Sequence, residues 1–239
     1  LRDKFINNVI FILIILVSYA YHRFSGLQGI LIFSFLVIIS KYFFLLKNSH
    51  NTRYVFFIVL ACNLMIWFKS EGIAYTTIII LLLNFSTYIS KKIKIYSNLS
   101  YIGIIILKII IYKYFDFTLN AQPYYLDYIF NLKFPIILHK LSFIIPFLFY
   151  YSLINIFFVA GFIILVALNL QKKFHDYIKI LNYYFILNLI FIFCAYLLRE
   201  HEIEHFVRTT MKRTIFTSSG FYVFLIINFL KNLNKTFLK

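Results

Sequence analysis

The chain has few charged residues for its length. Only 13% of its 239 residues are charged, 62% are hydrophobic, and the mean hydropathy is +0.86. A soluble domain is nearer half apolar and a quarter charged, so a water-soluble globule of this length could not bury so much apolar surface. The composition therefore excludes an ordinary soluble domain and predicts a polytopic integral membrane protein.

Acidic residues and cysteines are scarcer still. Eight Asp and Glu stand against 24 Lys and Arg, which gives a net charge of +16. The basic residues occur in short clusters between apolar runs, and this favours anchoring at an anionic membrane face over nucleic-acid binding. Cys62 and Cys194 lie inside apolar runs and provide no disulfide framework. We expect no nucleic-acid partner, and we expect contacts with anionic lipids such as cardiolipin.

Glycine and proline are rare as well, with 6 and 3 residues, whereas Phe (31) and Tyr (20) are abundant. The abundant residues, which include Ile, Asn and Lys, have AT-rich codons, and the rare ones have mostly GC-rich codons. This bias indicates an AT-rich genome, such as that of an organelle or a reduced bacterium. We therefore expect the mitochondrial inner membrane, with a bacterial plasma membrane as the alternative.

The apolar runs predict an all-α transmembrane bundle of about eight spans, each about 20 residues long. The predicted spans cover residues 5–21, 27–46, 54–68, 73–89, 99–117, 141–170, 183–198 and 214–230. With both termini on one side, the basic clusters alternate as the positive-inside rule requires. The sixth span is long enough to require a tilt or a kink, for which Pro146 is the obvious position, or to be two spans merged.

Two regions interrupt this single transmembrane domain of residues 1–239. Residues 118–140 contain prolines and several aromatic residues, and their composition predicts an interfacial or re-entrant segment. Residues 199–213 form a densely charged connector between the last two spans.

Lys108 is the first candidate for chemistry, because it stands within an apolar span. An ionisable residue inside a membrane is costly and is a functional candidate by default, here for a proton path. The alternative is that its ammonium group reaches the membrane surface while its stem stays in lipid. Glu71, beside Lys69 in a short loop, is a second candidate and could equally be half of a surface ion pair.

Further proton-path candidates are Lys133, His139 and Lys140. The pattern Lys133-Phe134-Pro135, followed by His139 and Lys140, is similar to the lysine and proline pattern of antiporter-like subunits of respiratory NADH dehydrogenase. That resemblance implies a broken helix that carries a lysine in a proton path. The other interpretation is an interfacial turn with basic side chains at the membrane surface.

The charged connector contains His201, Glu202 and His205 in the order His-Glu-x-x-His. On a helix, two histidines four residues apart can bind Zn²⁺ while the glutamate activates water. The motif resembles that of zinc metallopeptidases and the His-x-x-x-His ending of hemolysin III and ceramidase-type membrane hydrolases. No acidic residue or histidine follows His205 to act as a downstream third ligand. A solvated connector that contacts other subunits is the competing interpretation.

These observations favour an integral membrane subunit of a mitochondrial respiratory or proton-translocating complex, with other membrane subunits as partners and no cofactor of its own. A membrane zinc hydrolase is the enzymatic alternative, and zinc is expected only there. ATP synthase subunit a and cytochrome oxidase subunit III, to which residues 215–221 are vaguely similar, are further alternatives. Residues 75–117 have a general likeness to membrane-bound O-acyltransferases, which keeps a bacterial acyl or glycosyl transferase open.

Overall fold

The computed structural model describes residues 2–49, 51–115, 134–171, 175–198 and 203–237, which are helical apart from short connections. In chain order the helices are α1 (Arg2–Ser49), α2 (Arg53–Phe68), α3 (Ser70–Phe85), α4 (Lys91–Tyr114), α5 (Phe134–Ile154), α6 (Ile156–Gln171), α7 (His175–Leu197) and α8 (Ile203–Phe206), followed by a π-helical turn (Val207–Met211) and α9 (Lys212–Phe237). The predicted all-α class is confirmed.

Five of the described helical segments are long and apolar enough to cross a membrane. They are Gln28–Ser49, Lys91–Tyr114, Pro135–Ile154, Tyr177–Leu197 and Ile203–Lys231, and three shorter apolar helices accompany them. The predicted transmembrane character therefore agrees with the structure, whereas the count of about eight spans stays a prediction.

Most helices that follow one another in the chain run in opposite directions through the bundle. Tyr42 stacks on Tyr54 and Phe35 on Phe68, so α1 and α2 are antiparallel. Other antiparallel pairs are joined by Thr76–Cys62 and Gly72–Met65 (α2 and α3), Thr77–Tyr101 and Asn84–Asn98 (α3 and α4), Phe162–Phe185 and Asn169–Asn182 (α6 and α7), and Asn188–Ser218 and Tyr196–Thr210 (α7 and α9). The short connections from α1 to α4 favour this arrangement, because a helix that packs on the one before it must turn back.

Helix α9 lies at the centre of the bundle and runs parallel to the second half of α1. Phe33 stacks on Phe216 with ring centroids 4.9 Å apart, and Phe44 packs on Phe224 at 5.5 Å. Gly220 allows this close approach, since a Cβ atom there would lie 2.5 Å from the carbonyl oxygen of Phe33. Small residues at such contacts let two helix backbones come together without a steric clash.

The alternation defines two ends of the bundle. At the "basic end", α1 finishes and α2, α4 and α7 begin, and the described basic residues there include Arg53, Lys92 and Lys179. At the "cleft end", α2 and α7 finish and α8 begins. The described acidic side chains Glu71 and Glu204 lie at the cleft end.

The first two predicted spans are joined in one helix, and the turn predicted around Arg23 is therefore wrong. Helix α1 has 48 residues and is about 70 Å long at the usual rise per residue. The physical reason is that Gly26 is an isolated breaker between two apolar runs, and a lone glycine costs only about 1 kcal/mol in a helix. The predicted location of both termini on one side depended on that turn and is not confirmed.

The long sixth span divides into α5 and α6, but the break lies at Asn155 rather than at Pro146. Helix α5 continues through Pro146. At Asn155 the side-chain Oδ1 accepts hydrogen bonds from the backbone N–H groups of Phe157 and Phe158, both at 3.1 Å, as an N-cap residue does. Both helices run antiparallel to α7, so together they make one pass along the bundle, as the packing of Lys140 and Phe162 against α7 shows.

The two predicted interruptions fall partly outside the described residues. Residues 118–133, including Lys133, lie outside them, and 134–140 form the first turns of α5. Residues 199–202 also lie outside them, whereas the rest of the predicted connector is helical and leads directly into α9. The Glu204–Arg208 ion pair, four residues apart, supports helix there. The assignment of 199–213 as a charged connector between the last two spans stays a prediction.

Candidate functional site

Three lysines cap the C-terminal ends of neighbouring helices. The Nζ atom of Lys94 donates to the carbonyl of Asn84 at 2.7 Å, that of Lys108 to Ile66 at 2.6 Å, and that of Lys140 to Leu197 at 3.0 Å. The last carbonyls of a helix lack internal partners and carry the negative end of its dipole. Each ammonium group is therefore neutralised in part by a helix end, which lowers the cost of burying it.

The described proton-path candidates share the cleft end instead of forming a file across the bundle. Lys108 reaches the last turn of α2 and Lys140 reaches the end of α7. Glu71 is paired with Lys69 at 2.7 Å in the turn between α2 and α3, in keeping with the surface-pair interpretation. His139 is exposed at the start of α5. A role of these residues in proton transfer stays a prediction.

A central polar cluster joins α6, α7 and α9. Asn188 Nδ2 donates to Ser218 Oγ at 3.1 Å, the Tyr184 hydroxyl donates to the Ser218 carbonyl at 2.8 Å, and Asn155 Nδ2 donates to Ser219 Oγ at 3.4 Å. All five residues are buried. Such bonds hold helices together where lipid provides no hydrophobic driving force between them.

A second set of hydroxyl groups connects this cluster to the cleft end. The Tyr75 hydroxyl donates to the Thr214 carbonyl at 3.1 Å, and the Tyr196 hydroxyl lies 2.8 Å from Thr210 Oγ1 and 3.2 Å from Thr214 Oγ1. These contacts tie α3 and α7 to the start of α9. They position the turn that precedes α9 relative to the rest of the bundle.

That turn is π-helical and exposes one face to a cleft. The hydroxyls of Thr209 and Thr210 donate to the carbonyls of His205 and Phe206, both at 2.8 Å, which satisfies backbone groups in the widened turn. Val207 and Met211 stay buried, whereas Arg208 is exposed. π-Helical turns within α-helices occur frequently at functional sites.

The cleft lies between α5 and the α8 and π-helical region and has a volume of about 560 Å³. It is lined by His139, Phe143, Ile203, Glu204, His205 and Arg208. Arg208 donates from Nε and Nη2 to one carboxylate oxygen of Glu204, at 3.0 and 2.8 Å, and its guanidinium lies 5.1 Å from the Phe147 ring centroid. Two imidazoles, a carboxylate and a guanidinium therefore surround one opening.

The predicted zinc motif is only partly described. His205 lines the cleft, whereas His201 and Glu202 lie outside the described residues. Within the described ranges, no group of three His, Cys, Asp or Glu side chains is placed to hold a metal ion. The zinc site therefore stays a prediction.

The sequence identified His139 as a proton-path candidate and His205 as part of a zinc motif. The fold places both side chains at one cleft. Sequence reasoning missed Arg208 as a site residue, although the spacing from Glu204 by four residues was a visible signal of a helical pair. For the central polar cluster, the signal in the sequence was the presence of asparagines within apolar runs, since such side chains form hydrogen bonds between helices.

Comparison with known proteins does not assign the chain to a family. No protein-family model matches it. No curated protein sequence and no solved structure shows a significant similarity to it.

Proposed function

We propose that this chain is an integral membrane subunit of a larger membrane assembly. Within that class we keep the function predicted from the sequence, a structural or proton-path subunit of a respiratory or proton-translocating complex in the mitochondrial inner membrane. On this proposal the passes made by α1, α2, α3, α4, α5 with α6, α7 and α9 cross the membrane. Residues 5–21 continue into the rest of α1 without a turn and therefore do not make a separate pass.

The observation that carries the proposal is the position of Gly103 on α4. At Gly72, Gly161 and Gly220 an added Cβ atom would collide with another helix of this chain, so each marks a tight helix contact. At Gly103 nothing lies within 4 Å. In a chain so poor in glycine, an outward-facing glycine flanked by exposed Ile102 and Ile106 fits a helix of another subunit.

The partner surface on this proposal is the outward side of α4. In an apolar stretch of 18 residues of α4, only 6% of the residues are buried within the chain. In the corresponding stretch of the segment Ile203–Lys231, 72% are buried. The basic end then faces the anionic side of the membrane, where lysines attract lipids such as cardiolipin.

The proposal is tested by extracting the tagged full chain from its native membrane in a mild detergent and measuring the size of the particle. We expect the wild type and the conservative control Ile106→Leu to migrate in a large complex, and Gly103→Leu to be released as a smaller species. A wild-type chain that is monomeric after the mildest extraction would contradict the subunit assignment.

A second candidate is a membrane hydrolase or transferase that acts at the cleft. The observation that favours it is the placement of His139, Glu204 and His205 around one opening, since imidazole and carboxylate groups act as general acids and bases. Metal analysis of the purified protein tests the zinc form, for which one zinc per chain is expected and a metal-free active protein would exclude it.

A further inference from the structure

The cleft combines a polar rim with apolar walls. Glu204, His205 and Arg208 lie along one side and His139 on the other, while Phe143 and Ile203 provide apolar surface. Its volume of about 560 Å³ falls within the roughly 300–1,000 Å³ usual for small-molecule pockets. A ligand that fits such a cleft has a charged group joined to an apolar part.

Arg208 is held in place while keeping donors for a ligand. The Glu204 carboxylate and the Phe147 ring fix its guanidinium. A guanidinium has five N–H donors in a planar fork that matches phosphate geometry. Two of these groups bond Glu204, and none of the described residues bonds the others. The remaining donors can therefore bind an anion without moving the side chain.

The other rim groups define the charge pattern of the ligand. His139 and His205 are exposed, and each imidazole can donate an N–H to a phosphate oxygen. Glu204, whose side chain is 50% exposed, presents carboxylate to a cationic group. The rim is thus complementary to a zwitterion in which a phosphate and an amine stand close together.

The apolar surface beside the cleft suits the rest of a lipid. Helix α5 exposes Leu138, Ile145 and Phe149. Only 11% of the residues in its apolar stretch are buried within the chain. The cleft also lies at the cleft end, beside the capped terminus of α7, where Lys140 bonds Leu197. A headgroup in the cleft would place its acyl chains along α5.

From this arrangement we propose that the cleft is a binding site for a membrane phospholipid whose headgroup carries a phosphate and an amine. Arg208, His139 and His205 contact the phosphate, and Glu204 contacts the amine. The site is independent of whether the chain acts as a subunit or as an enzyme, because it requires only these described residues and a membrane.

The test is native mass spectrometry of the purified full chain in detergent, titrated with phosphatidylethanolamine. We expect Arg208→Gln to weaken lipid retention about tenfold, because the main phosphate contact is lost. The matched control is Arg53→Gln, which removes an exposed arginine at the basic end and should leave retention unchanged. Equal retention by both variants overturns the proposal.

Further experiments test whether the amine of the headgroup is recognised, whether the ligand must be a lipid, and whether a loss of binding comes from misfolding. Phosphatidylglycerol lacks the amine but can also bind the basic end, so the part of the retention that Arg208→Gln removes is compared for the two lipids. That part should be smaller for phosphatidylglycerol than for phosphatidylethanolamine, and Glu204→Gln should abolish the difference. Inorganic phosphate or glycerophosphoethanolamine that competes at equal concentration overturns the assignment to a lipid. If Arg208→Gln does not fold, the exposed pair His139→Gln and His205→Gln provides the same readout, and unchanged retention in that double variant also overturns the proposal.

Discussion

The segment Ile203–Lys231 and helix α4 have similar apolarity and opposite positions in the bundle. Their mean hydropathies are 1.4 for the segment Ile203–Lys231 and 1.7 for α4. Yet 72% of the residues in the apolar stretch of Ile203–Lys231 are buried within the chain, against only 6% in that of α4. The difference lies in small and hydrogen-bonding residues: α9 carries Ser218, Ser219 and Gly220 on buried positions, whereas α4 exposes a row of isoleucines. When lipid is the solvent, packing and hydrogen bonds, rather than apolarity, decide which helix is central.

The strongest way to break this comparison is to give each helix the same extra methyl group. Gly220→Ala places a Cβ atom 2.5 Å from the Phe33 carbonyl oxygen, so the α1–α9 contact must open. We expect a loss of about 1–3 kcal/mol in the free energy of unfolding, as for other overpacked contacts. Gly103→Ala, with open space around it, should be neutral in the isolated chain. Thermal unfolding in detergent measures both, and equal effects would contradict the central position of α9.

A somewhat smaller loss is expected when the break between α5 and α6 loses its cap. Asn155→Ala removes the acceptor for two backbone N–H groups and the bond to Ser219, which should cost about 1–2 kcal/mol. Asn169→Ala is the matched control, since its bonds to Asn182 are exposed and should contribute about 0.5 kcal/mol or less. Comparable unfolding temperatures for the two variants would exclude the capping role.

Lys108→Met tests whether the one buried lysine of α4 stabilises the contact of that helix with the end of α2. The substitution keeps an unbranched side chain that is one heavy atom shorter and removes the hydrogen bond to the Ile66 carbonyl, so we expect a loss of about 1 kcal/mol in the free energy of unfolding. Proton pumping of the assembled complex should fall only if Lys108 is also on the proton path. A stability unchanged from wild type would refute the capping role, whatever the pumping rate.

The smallest effects distinguish two buried tyrosines of the core. Tyr184→Phe removes the donor to the Ser218 carbonyl and should cost about 1 kcal/mol. The Tyr222 hydroxyl is buried and has no hydrogen-bond partner among the described residues, so Tyr222→Phe should be neutral or slightly stabilising. Chemical unfolding curves of the two variants provide the test, and a larger loss for Tyr222→Phe would reverse the assignment.

Local pattern located the helices better than it located their ends. The apolar runs correctly predicted helix, because a segment in lipid must bond its own backbone groups. They did not show that the first two runs share one helix or that the sixth is divided. Helix α5 continues through Pro146, where a kink stays a prediction. The break between helices is at Asn155, where a side-chain cap to α6 combines with a bond to Ser219. That partner is 64 residues away in the chain, beyond the reach of any local pattern.

The site was predictable only in parts. His139 and His205 were identified as isolated titratable residues, but their common cleft depends on how α5 meets the π-helical turn. For Lys108 the sequence offered a proton path or a surface-seeking ammonium. The tertiary structure adds a third role, the cap of α2, because the Ile66 carbonyl comes within 2.6 Å.

By itself the sequence determined that this protein is helical and apolar enough for a membrane, since composition and run length depend on neighbouring residues alone. Only the tertiary structure decided that α9 is central, that α4 is peripheral, and that His139, Glu204, His205 and Arg208 share one cleft. The physical reason is that these features arise where distant segments meet. Steric fit at Gly220 and hydrogen bonds such as Asn188–Ser218 select one packing among many that apolarity alone would allow.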